Sequence, residues 1–72
     1  MDRFIRYALE KGKKIRAVYL REGKLLQKTV SVLSCDEEQV TLQVGRSKPI
    51  TLPLEDVLSC DYARGDSGED NE

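Results

Sequence analysis

Five short segments rich in apolar residues, separated by polar or glycine-containing turns, follow one another from residue 14 to residue 62. Alternation of apolar and polar residues with a period of two places the apolar side chains on one face of a β-strand. The segment 40–44 is the clearest example, because its three apolar residues alternate with Thr41 and Gln43. Short strands joined by tight turns are typical of a small barrel, so we expect a mainly β fold.

The residues before these segments predict one helix. Apolar residues recur at the spacing i, i+1, i+4 and i+5, which gives a helix one apolar stripe; they are Phe4, Ile5, Ala8 and Leu9. Asp2 is suited to cap the start of this helix, and Gly12 is suited to end it.

The first two strands are predicted to form a hairpin. Lys14–Arg21 contains β-branched and aromatic residues, and the cluster at residues 21–24 supplies a tight reversal. The second arm, Leu25–Leu33, is long for a strand, and alternation gives one of its faces to Leu26, Val30 and Val32. A strand of this length usually bends and contributes to both halves of a barrel.

Two further strands complete the pattern after residue 49. Ile50–Leu54 is a short strand, and Pro53 inside it favours an edge position because proline lacks a backbone donor. Residues 54–56 predict a single helical turn, which leads to a fifth strand at Val57–Tyr62.

The length of 72 residues allows one domain, which we assign to residues 1–63. A domain of this size buries little surface, and association with copies of itself would stabilise it. Residues 64–72 contain no large apolar side chain and carry a net charge of −3, so we expect a disordered acidic tail.

The overall charge of −1 conceals a strong asymmetry. Residues 1–28 carry nine Lys or Arg against three Asp or Glu, a net charge of +6, whereas residues 29–72 carry a net charge of −7. The N-terminal part is therefore the part that would attract a polyanion.

Residue types that most enzymes need are missing or scattered. The chain has no histidine, no clustered cysteine pair and no glycine-rich phosphate loop, so we expect neither catalysis, nor a metal, nor a cofactor. The N-terminus has no apolar signal segment and no apolar run could span a membrane, which favours a cytoplasmic protein without membrane contact. In that compartment Cys35 and Cys60 are expected to be reduced and partly buried.

The helix and the hairpin together resemble the bacterial Sm-like RNA chaperone family, the Hfq-like proteins. Residues 2–5 with Ala8 and Leu9 are similar to that family's helix, and residues 18–27 (VYLREGKLLQ) are similar to its Tyr-Leu-x-x-Gly-x-x-Leu-Gln hairpin. The resemblance covers residues 2 to about 62 and implies an N-terminal α-helix followed by a five-stranded, strongly bent Sm-like (SH3-like) barrel. It also implies a homo-oligomeric, hexameric ring that acts in post-transcriptional regulation.

The resemblance further implies a surface that holds A-rich single-stranded RNA, formed by Tyr19, Gly23, Leu26 and Gln27. Aromatic rings stack on bases and side-chain amides bond base edges, so Tyr19 and Gln27 are suitable types. Basic residues at the rim would attract phosphates of any sequence; they are Lys11, Lys13, Lys14 and Arg16. The alternative is structural, because a strand tyrosine is often core packing and lysines after a helix are often only solvated.

The chain departs from this family at two places. Lys28 stands where the family has a glycine that lets the long strand bend. Residues 52–56 (LPLED) stand in the region of a Tyr-Lys-His that forms the family's uridine-binding site, so we expect that second site to be absent.

A second resemblance gives a different prediction. Ligand-sensing barrels of the WYL type also begin with a short helix, a strand with a tyrosine and a glycine turn. Residues 52–57 are similar to the final strand of these barrels. The Trp-Tyr-Leu signature is missing from this chain. The alternative function is therefore a ligand-sensing or protein-interaction module that binds no RNA.

Overall fold

One N-terminal helix and five antiparallel strands make up residues 3–65, which are the residues that the computed structural model describes. In chain order the elements are α1 (Arg3–Lys11), β1 (Ile15–Arg21), β2 (Lys24–Cys35), β3 (Gln39–Gln43), β4 (Ile50–Pro53), a single 3₁₀ turn (Leu54–Asp56) and β5 (Val57–Tyr62). This order confirms the prediction of a mainly β fold with one helix at its start. No helix in the described range has the length and apolar character needed to cross a membrane.

The five strands form one open sheet in the order β4-β3-β2-β1-β5. The twelve-residue β2 is longer than predicted, pairing first with β1 and then with β3, so that it belongs to both halves of the sheet. Within the described residues β4 pairs only with β3 and β5 only with β1. The sheet therefore has two edges, and Pro53 lies on one of them as its missing donor predicts.

The bend of β2 lies near its end and not at Lys28. Ala17 pairs with Lys28 in regular register, whereas Val32 pairs with Leu42 and Ser34 with Thr41, which leaves Leu33 as an extra residue. Such a bulge increases local twist and bends the strand. A bulge thus supplies the bend in a strand that has no glycine.

Ten apolar side chains are buried together, in agreement with the predicted alternation; they are Ile5, Ala8, Ile15, Ala17, Tyr19, Val30, Val32, Val40, Leu42 and Leu52. The helix contributes Ile5 and Ala8 from its predicted stripe. It is anchored to β5 by aromatic contacts, because the rings of Phe4 and Tyr7 meet Tyr62 edge to face at 4.8 and 5.4 Å. Edge-to-face pairs stabilise by about 0.5–1.5 kcal/mol beyond burial.

Two turns have residues with positive φ, which Gly12 and Gly23 adopt readily and Glu22 does not. Gly12 has φ of 65° after α1, as expected of a glycine that ends a helix. Glu22 and Gly23, with φ of 53° and 77°, form a two-residue hairpin turn of a kind that matches strand twist. The predicted Asp2 cap and residues 66–72 of the predicted tail lie outside the described residues.

Candidate nucleic-acid interface

The hairpin divides the predicted contact residues between two faces. Side chains alternate along a strand, and Tyr19 pairs with Leu26 while Val18 pairs with Gln27. Tyr19 therefore projects to the inner face with buried Ala17, and Gln27 projects to the outer face. These two residues do not act on one ligand surface within a single chain.

Tyr19 belongs to the core. Only 2% of its surface is exposed, so no face of the ring is open for a base to stack on. This burial corrects the expectation of stacking, and the structural alternative of core packing describes the residue. Leu26 is half-buried and packs against the same core. Tyr19 shares its face of β1 with Ile15 and Ala17, but Val18 and Leu20 make the other face apolar too, so alternation alone does not show which face is buried.

The outer face carries a groove of about 450 Å³, here called the outer groove, lined by Arg16, Val18, Gln27, Ser59, Cys60 and Asp61. It brings together two of the predicted residues, Arg16 and Gln27. Arg16 Nε donates a hydrogen bond to the Tyr62 carbonyl at 3.0 Å, and a terminal nitrogen of Arg16 lies 3.3 Å from Asp61 Oδ2. Asp61 was not predicted as a site residue, and it places one acid beside the arginine.

The predicted rim lysines lie at one end of the sheet. Lys11 ends α1, and exposed Lys13 and Lys14 follow it immediately before β1. They are thus at the same end of β1 as Arg16. Gly23 lies in the turn at the other end, about 20 Å away for a strand of seven residues. The lysines do not line the outer groove, but they lie at the end of β1 that contributes Arg16 to it and far from Gly23.

A second groove of about 580 Å³ lies on the inner side, between the hairpin of β1 and β2 and the segment that joins β3 to β4. We call it the mouth groove. Its lining comprises Tyr19, Arg21, Lys28, Val44, Ser47, Lys48, Pro49 and Ile50. Sequence reasoning found none of its cations. Lys28 pairs with Ala17 and so projects to the inner side, the face that alternation gives to Leu26 and Val30.

Two neighbouring residues outside both grooves, Cys35 and Asp36, have shifted pKa values. Asp36 accepts hydrogen bonds from the backbone N–H groups of Glu38 and Gln39, both at 2.8 Å, and these bonds lower the pKa of its carboxyl. Burial raises the pKa of the Cys35 thiol, and the charge of Asp36 raises it further. Cys35 and Cys60 are half-buried and form no disulfide. A thiol with a raised pKa is a weak nucleophile.

The outer groove offers a cation, a carboxylate, an amide, a hydroxyl and a thiol beside Val18, and the mouth groove offers three cations and a hydroxyl beside apolar surface. No three His, Cys, Asp or Glu side chains come together as metal ligands within residues 3–65. No family model, no curated protein and no solved structure matches the chain. What the grooves bind is therefore inferred from their own residues.

Proposed function

We propose that this protein is a non-catalytic RNA-binding module of Sm-like type, which holds A-rich single-stranded RNA along the outer groove. The observation that carries the proposal is the groove itself. Arg16 and Gln27 come from different strands and line one groove, and exposed Lys13 and Lys14 precede β1 at the end where Arg16 lies. An exposed amide beside a series of cations is the combination that reads a base and retains a phosphate.

Gln27 is the residue that would distinguish bases. Its amide offers a donor and an acceptor, which matches the donor and acceptor edge of adenine better than that of uracil. Val18, which pairs with Gln27, supplies half-buried apolar surface against which a base would pack in place of Tyr19.

Arg16 would exchange its present partner for a phosphate. Its ion pair with Asp61 joins two exposed side chains, and such pairs contribute only about 0–1 kcal/mol. The neighbouring carboxylate repels a polyanion and lowers the affinity at low salt. The contacts of Arg16 and the rim lysines with phosphates release counterions, so we expect binding to weaken as salt is raised.

The strand order supports assembly into a ring. The edges of β4 and β5 have backbone groups that no neighbour in the described chain satisfies. Head-to-tail pairing of β4 of one copy with β5 of the next would satisfy them and repeat the outer groove around a closed ring. The bent β2 and the order β4-β3-β2-β1-β5 are compatible with an Sm-like barrel as its subunit.

The test is a fluorescence-anisotropy titration of A-rich and U-rich RNA oligonucleotides. Gln27→Ala should reduce the preference for A-rich RNA, with a loss of about 1–3 kcal/mol in discrimination. Gln39→Ala is the matched control, because Gln39 is an exposed glutamine on β3, in the other half of the sheet. Lys13→Ala combined with Lys14→Ala should instead weaken both RNAs equally and flatten the salt dependence.

Two results would contradict the proposal. The first is wild-type affinity no better than about 100 μM for either RNA at moderate salt, which is the range of non-specific binding. The second is an equal effect of Gln27→Ala and Gln39→Ala on the preference between the two RNAs.

The mouth groove favours a second candidate, a ligand-sensing module. Its volume of about 580 Å³ is within the range typical of small-molecule sites. A protein with this function would bind a small ligand and neither RNA, and the titration above separates it from the first candidate.

A further inference from the structure

The mouth groove gathers three cationic side chains from separate parts of the chain. Arg21 ends β1, Lys28 lies within β2, and Lys48 lies in the turn before β4. No acidic side chain lines the groove. Among the described residues, no carboxylate forms an ion pair with any of the three. The groove is therefore a concentration of positive charge without its own counter-charge.

The turn that carries Lys48 is held in place by hydrogen bonds. The backbone N–H of Ser47 donates to the Val44 carbonyl at 3.0 Å, and the Gln43 side-chain amide donates to the Ser47 carbonyl at 3.2 Å. Lys28 and Arg21 lie in the regularly paired hairpin, where Lys28 pairs with Ala17 and Arg21 pairs with Lys24. All three cations thus have backbone positions fixed by hydrogen-bonded structure, which reduces the entropy cost of binding an anion.

The rest of the lining is apolar. Val44, Pro49 and Ile50 form one side, Tyr19 contributes the small part of its surface that is accessible, and Ser47 adds one hydroxyl. A free inorganic anion would leave this apolar surface in water. A ligand that also presents a flat, largely apolar ring would cover it, because burial of apolar surface is favourable.

We propose that the mouth groove binds a nucleoside monophosphate group, with the phosphate among Arg21, Lys28 and Lys48 and the base against Val44 and Ile50. A phosphate monoester carries about −1.5 to −2 charges at neutral pH, which matches three cations better than a carboxylate does. Arginine adds a bidentate donor pair suited to phosphate oxygens. The group belongs either to a free nucleotide or to a terminal nucleotide of an RNA strand.

This site is separate from the outer groove. Lys28 and Tyr19 project to the inner side of the hairpin, whereas Gln27 projects to the outer side. The proposal therefore stands whether or not RNA binds along the outer groove, and the two can fail independently.

The experiment is an NMR titration of the ¹⁵N-labelled protein with AMP, adenosine and inorganic phosphate. AMP should shift the backbone amides of Arg21, Lys28, Ser47 and Ile50 and leave those of Ser59 and Asp61 in place. It should bind at least tenfold more tightly than adenosine or phosphate alone, because each of these satisfies one half of the lining. Binding should weaken as salt is raised.

Charge variants locate the phosphate. Lys28→Gln and Lys48→Gln should each weaken AMP about tenfold, the usual effect of one hydrogen bond to a charged group. Arg6→Gln makes the same change of charge at an exposed residue of α1 outside the groove and should change the affinity less than twofold. The spectra themselves report whether each variant is folded.

Three outcomes would overturn the proposal. The first is the absence of groove shifts at an AMP concentration of about 10 mM, well above the usual affinity range of metabolite sites. The second is equal affinity for AMP and phosphate. The third is equal weakening by Arg6→Gln and Lys28→Gln. A 5′-phosphorylated oligonucleotide identifies the source of the group. If Lys28→Gln weakens it together with AMP, the ligand is the end of a strand, and if only AMP is weakened, the ligand is a free nucleotide.

Discussion

Tyr19 stabilises the fold through its buried ring, and two substitutions separate the ring from the hydroxyl. Tyr19→Ala should lower the free energy of unfolding by about 3–5 kcal/mol, the usual cost of removing a buried aromatic side chain. Tyr19→Phe keeps the ring and should lower it by less than about 1.5 kcal/mol. Urea denaturation followed by circular dichroism measures both. A well-folded Tyr19→Ala variant that has lost only RNA affinity would instead restore Tyr19 as a contact residue.

At this scale the sequence predicts residue types better than it predicts faces. Both faces of β1 carry apolar residues, since Val18 and Leu20 alternate with Ala17 and Tyr19. Which face is inner depends on where α1 and the second half of the sheet pack, and that is not local information. Gln27 was identified by its resemblance to a known motif, whereas Lys28 and Lys48 meet only through the fold.

The turn between β2 and β3 depends on one ionised side chain. Asp36 accepts two backbone hydrogen bonds through Oδ1, and its own N–H donates to the Gln39 carbonyl at 2.9 Å. These bonds hold the pKa of the Asp36 carboxyl below its ordinary value of 3.8. A carboxyl with a lowered pKa in the folded state contributes stability above the unfolded pKa and loses it as the pH falls through the folded pKa.

We therefore expect the melting temperature of the wild type to fall as the pH is lowered below about 4. Asp36→Asn keeps an acceptor oxygen but has no charge to lose, so its melting temperature should be lower at neutral pH and should change less in acid. Glu37→Gln is the matched control, because Glu37 is an exposed neighbour in the same turn. Calorimetry from pH 2 to pH 7 gives the comparison, and parallel curves for wild type and Asp36→Asn would refute this role.

The order and type of the elements followed from alternation and turn residues, whereas the exact ends of β2 and β4 and the irregularities within strands did not. The hairpin turn, the edge position of Pro53 and the helical turn before β5 were all predicted from residue types. The bulges at Leu33 in β2 and at Leu58 in β5 were not, because each arises where a strand must match a partner that is distant in sequence.

At the scale of the whole molecule, the proposed association with further copies rests on two features of residues 3–65. The outer edges of β4 and β5 pair with no other strand of this range, and its core is small. Ten buried apolar residues are few for a domain that must be stable alone. Leu58 lies on the β5 edge and is 53% exposed, so pairing with a neighbouring β4 would cover part of it. Leu25, which is 62% exposed, lies in the hairpin and away from both edges.

These two leucines give a matched test of edge pairing. Leu58→Lys places a charge on the β5 edge, and charged residues on an edge oppose strand pairing. We expect native mass spectrometry at micromolar concentration to show a closed oligomer for the wild type and for Leu25→Lys, and mainly monomer for Leu58→Lys. Circular dichroism should show that all three remain folded. Two results would exclude assembly through the β5 edge. One is a monomeric wild type, and the other is an oligomer that Leu25→Lys disrupts as strongly as Leu58→Lys does. Either result would also exclude the ring on which repeated RNA contact depends.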